Sequence, residues 1–443
     1  MGLRCIVTAE AFLLSLNFHA MRTGSNMRAW LWLLAGIVAS IVSWTYMHRI
    51  LLPWENFVNV QQGQVKAQLG DLYPRWVGTR ELLLNGRNPY GPEVSHEIQM
   101  AFYGRPIEQS YDKPQLEIID EQRFVYPLYV VFLMAPSVHW DFAQLQSWAP
   151  VLFGAVTVIS LWLWMRVLDW HPPRLAAAGM VMLVLSSPQI AQGLRLRQLG
   201  LFVAFAIALA SWCMTRQRYA IAGVLLAIST VKPQMVALVL LWFLLWSLGD
   251  WRKRWPLAAG FGGSLAVLVG GAEWLLPGWP RFFLAGLAAY AKYFPTTSPV
   301  RLILGNWIGG ALSVLALTAL VAFAWRVRKA EADSREFTGS LAFFFVATIL
   351  VMPLLTPYNQ VLLLLPIALL LRDWNKLPRV GRLGLTALLA WPWIVQAILL
   401  VHPPQIDSQN RLPLLPSVLV LLFPFLVGWL GITQRSRWLT GPG

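Results

Sequence analysis

Asp71 opens a polar stretch, "GDLYPRWVGTRELLLNGRNPYG" at residues 70–91, in a chain that is apolar almost everywhere else. A carboxylate at the start of a helix has two readings. It can cap the helix by accepting first-turn N–H groups. It can also take a proton from a substrate hydroxyl as a general base, although capping lowers its basicity. Glu55, Asp112, Asp120 and Glu121 share the same polar region, 49–123, and read as solvated loop charges or as rivals for the base. A second group of chemically capable residues is cationic. Arg195, Arg197 and Lys232 stand at the ends of apolar runs. An ionisable residue there either has a functional partner or snorkels to the headgroups.

The elements that must hold these residues are membrane helices. The 443 residues are 57% hydrophobic and only 12% charged, with a mean hydropathy of +0.56. A soluble domain carries about 25% charged residues, so this chain cannot cover a water-facing surface. Its 24 tryptophans suit aromatic belts at the bilayer interfaces. The net charge of +15 does not signal nucleic acid, because the cations lie in short loops between apolar spans. The two cysteines, Cys5 and Cys213, form no CxxC, the histidines form no HExxH, and no nucleotide-binding glycine motif is present. Neither a tightly held metal nor a cofactor is expected.

The expected architecture is an all-α polytopic membrane protein with about twelve spans. It comprises a cytoplasmic extension at 1–28, one transmembrane domain over 29–432, and a cytoplasmic tail at 433–443. Within the domain, 49–123 is a long first loop, and the proline-broken stretch 124–140 is re-entrant or interfacial. Lys and Arg decide the sides. Seventeen fall in the alternate loops taken as cytoplasmic, against seven in the others, so 49–123 faces outward. Residues 71–85 read as a short amphipathic helix with Leu72, Tyr73, Trp76, Val77, Leu83 and Leu84 on one face and Arg75, Glu81 and Asn85 off it. Pro74 is tolerable in its first turn, and Asn85-Gly86 is a natural stop. Such a helix would lie in the outer interface, apolar face down.

The order of several motifs resembles glycosyltransferase family 87, the polyprenyl-phosphate-sugar-dependent enzymes of the GT-C type, of which the mycobacterial phosphatidylinositol mannoside mannosyltransferases are typical. An acid opens a helix, then Gly86, Asn88, Pro89 and Tyr90 form a turn, then Tyr126, Pro127 and Leu128 precede an apolar stretch. "RQLGLFVAFAIAL" (197–209), "AGVLLAISTVKPQMVAL" (222–238) and "MPLLTPYNQVLLLLP" (352–366) continue the likeness. Arg197 stands where the family often has glycine, and Asn359 lies near a position where some members have histidine.

The resemblance implies a GT-C-like fold in the plasma membrane and transfer of a hexose, leaning to mannose. The donor would be a polyprenyl-phosphate-linked sugar and the acceptor a lipid or glycan, met on the extracytoplasmic face. It places the base at Asp71. Single displacement inverts the anomeric centre and needs one base, not a carboxylate pair. Arg195, Arg197 and Lys232 would then hold the donor phosphate, arginine by its fork and lysine as a point charge. Tyr90, Tyr126, Gln198, Gln234, Tyr358 and Asn359 would contact sugar or acceptor. A flippase for lipid-linked sugars, or a non-catalytic scaffold, would share the spans but would not need Asp71.

Overall fold

The computed structural model describes residues 24–61, 69–106, 122–291, 297–352, 356–403, 422 and 424–431. Most of the 1–28 extension, the 433–443 tail, and the rival acids Asp112, Asp120 and Glu121 lie outside the described residues. Every regular element among the described residues is helical.

Among the described residues five helices are long and apolar enough to cross a bilayer: Met27–Phe57, Phe142–Val167, Trp251–Leu275, Asn306–Val327 and Arg379–Val401. The pair Arg174–Ser186 and Pro188–Arg195, bent by 60°, makes a sixth if it is one broken span. Four shorter apolar helices accompany them: Leu199–Thr215, Tyr219–Ser229, Pro233–Gly249 and Pro357–Arg372. Length alone therefore supports five or six crossings rather than about twelve. The 11 residues of Tyr219–Ser229 rise only about 16 Å at ~1.5 Å per residue, against a hydrocarbon core of about 30 Å.

The break at 187–188 follows from proline. Pro188 disfavours helical backbone at the residue before it, and Ser187 sits at ψ 138°. The chain restarts as a separate short helix that delivers Arg195 at its end. The first helix also departs from expectation. It continues past residue 48 through a π-helical turn at Met47–Leu51 and on to Gln61, so Glu55 lies on a helix rather than in a loop. This helix packs closely on Arg174–Ser186. A Cβ added at Gly179 would stand 2.2 Å from the Trp32 carbonyl oxygen, so the crossing requires glycine.

Aromatic stacking welds Pro233–Gly249 to Arg335–Val351. Trp242 lies on Phe344 with centroids 5.8 Å apart, and Trp246 meets Phe337 at 5.0 Å. At one end of the bundle Arg254, fully buried, donates to the carbonyls of Trp246, Arg328 and Ala330 at 2.8–2.9 Å. Arg372 similarly donates to the Leu168 carbonyl at 2.9 Å. These contacts join loops that the charge alternation assigns to one side.

The helix Leu72–Asn85 starts and stops where the sequence indicated, with Pro74 in its first turn and Gly86 left-handed at φ 65°. It is not an interfacial helix, however. Leu72, Trp76, Val77, Gly78, Thr79, Glu81 and Leu82 are all buried, so protein covers it on most sides. Trp76 Nε1 donates to the Ser137 carbonyl at 3.0 Å, and the Phe124 ring presses on Gly78. The 124–140 stretch forms that packing surface. It holds only a short helix, Val130–Met134, and a 3-10 turn at Ala135–Ser137. Phe124, Leu128, Val130 and Val131 are completely enclosed.

Candidate active site

Helix Pro188–Arg195 ends in a turn that creates the site. Gln198 N–H donates to the Gly193 carbonyl at 2.8 Å and Arg197 N–H to the Leu194 carbonyl at 3.1 Å. That paired pattern is a Schellman motif, whose closing residue must be left-handed. The residue is Arg197, at φ 54°. The turn aims the Leu196 carbonyl at Asp71, whose N–H donates to it at 3.0 Å. Gly70 allows this approach. It is itself left-handed at φ 66°, and a Cβ there would lie 3.0 Å from Leu196 O.

Asp71 occupies the N-cap position of helix 72–85, yet its side chain makes no capping hydrogen bond. Its carboxylate accepts instead from Gln198 Nε2 and from the Tyr358 hydroxyl. Gln198 Oε1 in turn accepts from Lys232 Nζ at 3.3 Å. Lys232 also donates to Asn359 Oδ1 at 2.9 Å and lies 4.7 Å from the centre of the Tyr358 ring. Asn359 is held by its own donation to Thr356 Oγ1 at 2.6 Å. Four distant stretches thus close one network: the start of helix 72–85, the 193–198 turn, the break before Pro233, and the 356–360 turn.

Arg75, one helical turn beyond Asp71, donates to the Asp71 backbone carbonyl. Its guanidinium lies 4.4 Å over the Tyr126 ring. The sequence reading placed Arg75 off the helix's apolar face and gave it no role. The signal that could have found it is the i, i+4 spacing of an acid and an arginine.

The other expected residues are distributed unevenly. Arg195 acts on Asp71 electrostatically but is held by Glu55, which takes both of its terminal nitrogens, Nη2 at 2.7 Å from Oε1. Arg197 turns away, donating to the carbonyls of Gln146 at 3.1 Å and Arg195 at 3.0 Å. Tyr90 donates to the Tyr126 carbonyl at 2.6 Å and meets Phe124 edge-on. Gln234 is half-buried in the first turn of Pro233–Gly249. Among the described residues no three His, Cys, Asp or Glu side chains gather as a metal set.

Burial is graded across the site. Gln198, Lys232 and Asn359 are 2–4% exposed, whereas Asp71, Arg75, Arg195 and Tyr358 are half-buried. Burial pushes the Asp71 carboxyl up, against the opposing charges of Arg75, Lys232 and Arg195. Burial likewise brings the Lys232 ammonium down to about 7, with Asp71 resisting and Arg75 adding to the fall. A carboxylate made more basic, beside cations that need an anion, can accept a proton from a hydroxyl and stabilise a departing oxyanion.

The sequence profile of glycosyltransferase family 87 matches residues 124–357, more than half of the chain. The chain belongs to glycosyltransferase family 87. No curated protein and no solved structure matches it. The matched stretch carries Tyr126, Arg195, Gln198 and Lys232, while Asp71 and Arg75 precede it and Tyr358 and Asn359 follow it directly. This family 87 protein is therefore a membrane glycosyltransferase whose site network reaches beyond the matched region at both ends.

Proposed function

We propose that this glycosyltransferase moves a hexose, mannose by family precedent, from a polyprenyl-phosphate donor to a hydroxyl of a lipid or glycan. The reading places the reaction on the extracytoplasmic face of the plasma membrane. The acceptor oxygen attacks the anomeric carbon as the bond from that carbon to the phosphate oxygen breaks. Asp71 takes the hydroxyl proton, the polyprenyl phosphate departs, and the configuration inverts. Lys232, with Arg195, meets the charge that develops on the phosphate. Tyr358 and Asn359 face the sugar. Arg197 serves the turn rather than the donor.

The observation that carries the reading is the Gln198 amide, which ties a half-buried carboxylate to a buried ammonium. The outward placement rests on the Lys and Arg alternation, and on loops of one assigned side meeting in space. On this reading the four shorter apolar helices are further crossings, which brings the total among the described residues to ten.

The test uses purified protein with a radiolabelled polyprenyl-phosphate sugar and a membrane-extract acceptor. Asp71→Asn should keep its detergent melting temperature and lower turnover by roughly 10²–10⁴, the usual worth of a general base. Unchanged product formation would remove Asp71 as the base, leaving a flippase or another acid to explain the site.

A further inference from the structure

We propose that Arg75, and not Arg197, is the guanidinium that grips the leaving phosphate of the donor, an assignment that rests on the transferase reading above. The first ground is charge. Asp71 faces Arg75, Lys232 and Arg195, and Arg195 is matched by Glu55. With Lys232 protonated, two carboxylates face three cations and leave one positive charge at the site. Such a charge is costly unless an anion joins it. A phosphate monoester or diester headgroup supplies that anion.

The second ground is geometry. Arg75 is half-buried, as are Asp71 and Tyr358. The Tyr126 ring beneath its guanidinium fixes the plane of the fork, which is the preparation that two-point recognition of a phosphate requires. One terminal nitrogen is anchored on the Asp71 carbonyl, while the buried Nε has no acceptor. A phosphate oxygen would satisfy it once the side chain shifts to uncover this enclosed nitrogen. Arg197 has neither feature, since its nitrogens already serve the carbonyls of Gln146 and Arg195. The arrangement also places base and phosphate grip one helical turn apart on a single rigid element. Movement of helix 72–85 would then carry both together.

The experiment measures binding of farnesyl monophosphate, with farnesol as the control for chain binding alone and inorganic phosphate as the control for the anion alone. Arg75→Ala should weaken farnesyl monophosphate by at least about tenfold, the loss of one charge-assisted contact, and leave farnesol unchanged. Arg75→Lys, which keeps charge and bulk but not the fork, should fall between Arg75→Ala and wild type. Arg197→Ala should stay within about twofold of wild type, because it loses no phosphate contact. Wild-type affinity in Arg75→Ala, or the tenfold loss in Arg197→Ala, overturns the proposal. Should Arg75→Ala not fold, the lysine variant decides, and wild-type affinity there overturns it too. If wild-type protein binds farnesyl monophosphate no better than farnesol, the donor reading itself fails, and that outcome differs from the failure of Arg75 alone.

Discussion

Asp71 and Lys232 are joined through a single amide: Gln198 donates to the carboxylate from its nitrogen and accepts the ammonium on its oxygen. The amide serves both at any pH, because it offers a donor and an acceptor in one plane. Gln198→Glu keeps the shape and replaces the donor with a second negative oxygen. Two adjacent carboxylates cannot both ionise easily, so one must hold a proton near neutral pH. The expected outcome is a loss of turnover of about 10²-fold at pH 7, the lower end for an impaired base. Part of the activity should return at higher pH, and a pH–rate profile reads both effects.

The pH dependence of the native enzyme should be bell-shaped. On the acid side kcat/KM rises as Asp71, its carboxyl pushed up by burial, loses its proton and becomes a base. On the alkaline side it falls as Lys232, down to about 7, loses the charge that the phosphate needs. Lys232→Arg tests the second limb, since arginine stays charged throughout. Its alkaline limb should disappear below pH 9 while the acid limb remains. An unchanged alkaline limb would take Lys232 out of donor binding.

Much of the site was legible because local rules governed it. Asp71 was marked by the helix start, and Lys232 by a Lys-Pro-Gln interruption between apolar runs. Asn85-Gly86 was marked by turn chemistry. What was hidden depended on distance or on burial. Glu55 and Arg195 are 140 residues apart and meet only because the first helix continues beyond the expected span. Arg75 looked like solvated surface because helix 72–85 was read as lying against lipid, whereas protein surrounds it. Hydropathy likewise cannot separate an apolar helix that crosses the bilayer from a short one enclosed by neighbours. Among the described residues the apolar stretches produce five or six helices of spanning length and four shorter ones.

Arg197→Gly should spare turnover while lowering stability. The position is left-handed, at φ 54°, a conformation that costs a residue with a side chain about 1–2 kcal/mol and glycine almost nothing. The variant loses at least the hydrogen bonds to the carbonyls of Gln146 and Arg195, each worth roughly 1.5–3 kcal/mol for a charged donor, which outweighs that relief and lowers its stability. Turnover should stay within about twofold of wild type, the expectation for a residue outside the reacting groups. A loss of 10²-fold with an unchanged melting temperature would restore Arg197 to the phosphate site.

Asp373 should make the turn after Arg372 acid-sensitive. Its carboxylate is 5% exposed and accepts from Trp429 Nε1 at 2.8 Å and Lys376 Nζ at 3.0 Å, with Arg372 beside it. Burial alone would push this carboxyl up. The hydrogen bonds from Trp429 and Lys376 and the Arg372 charge outweigh burial and hold it below the ordinary carboxylate value. A depressed folded-state value contributes stability above the unfolded value, about 3.9, and that stability is lost as pH falls through the folded value. Asp373→Asn removes the charge and hence this dependence. At pH 7 the variant should be less stable by on the order of 2 kcal/mol, the worth of a hydrogen bond to a charged group. The gap to wild type should narrow as the pH falls below about 4. Thermal unfolding in detergent from pH 7 to pH 3 measures it, and a gap that stays constant across that range would show that the Asp373 charge does not bind these helix ends together.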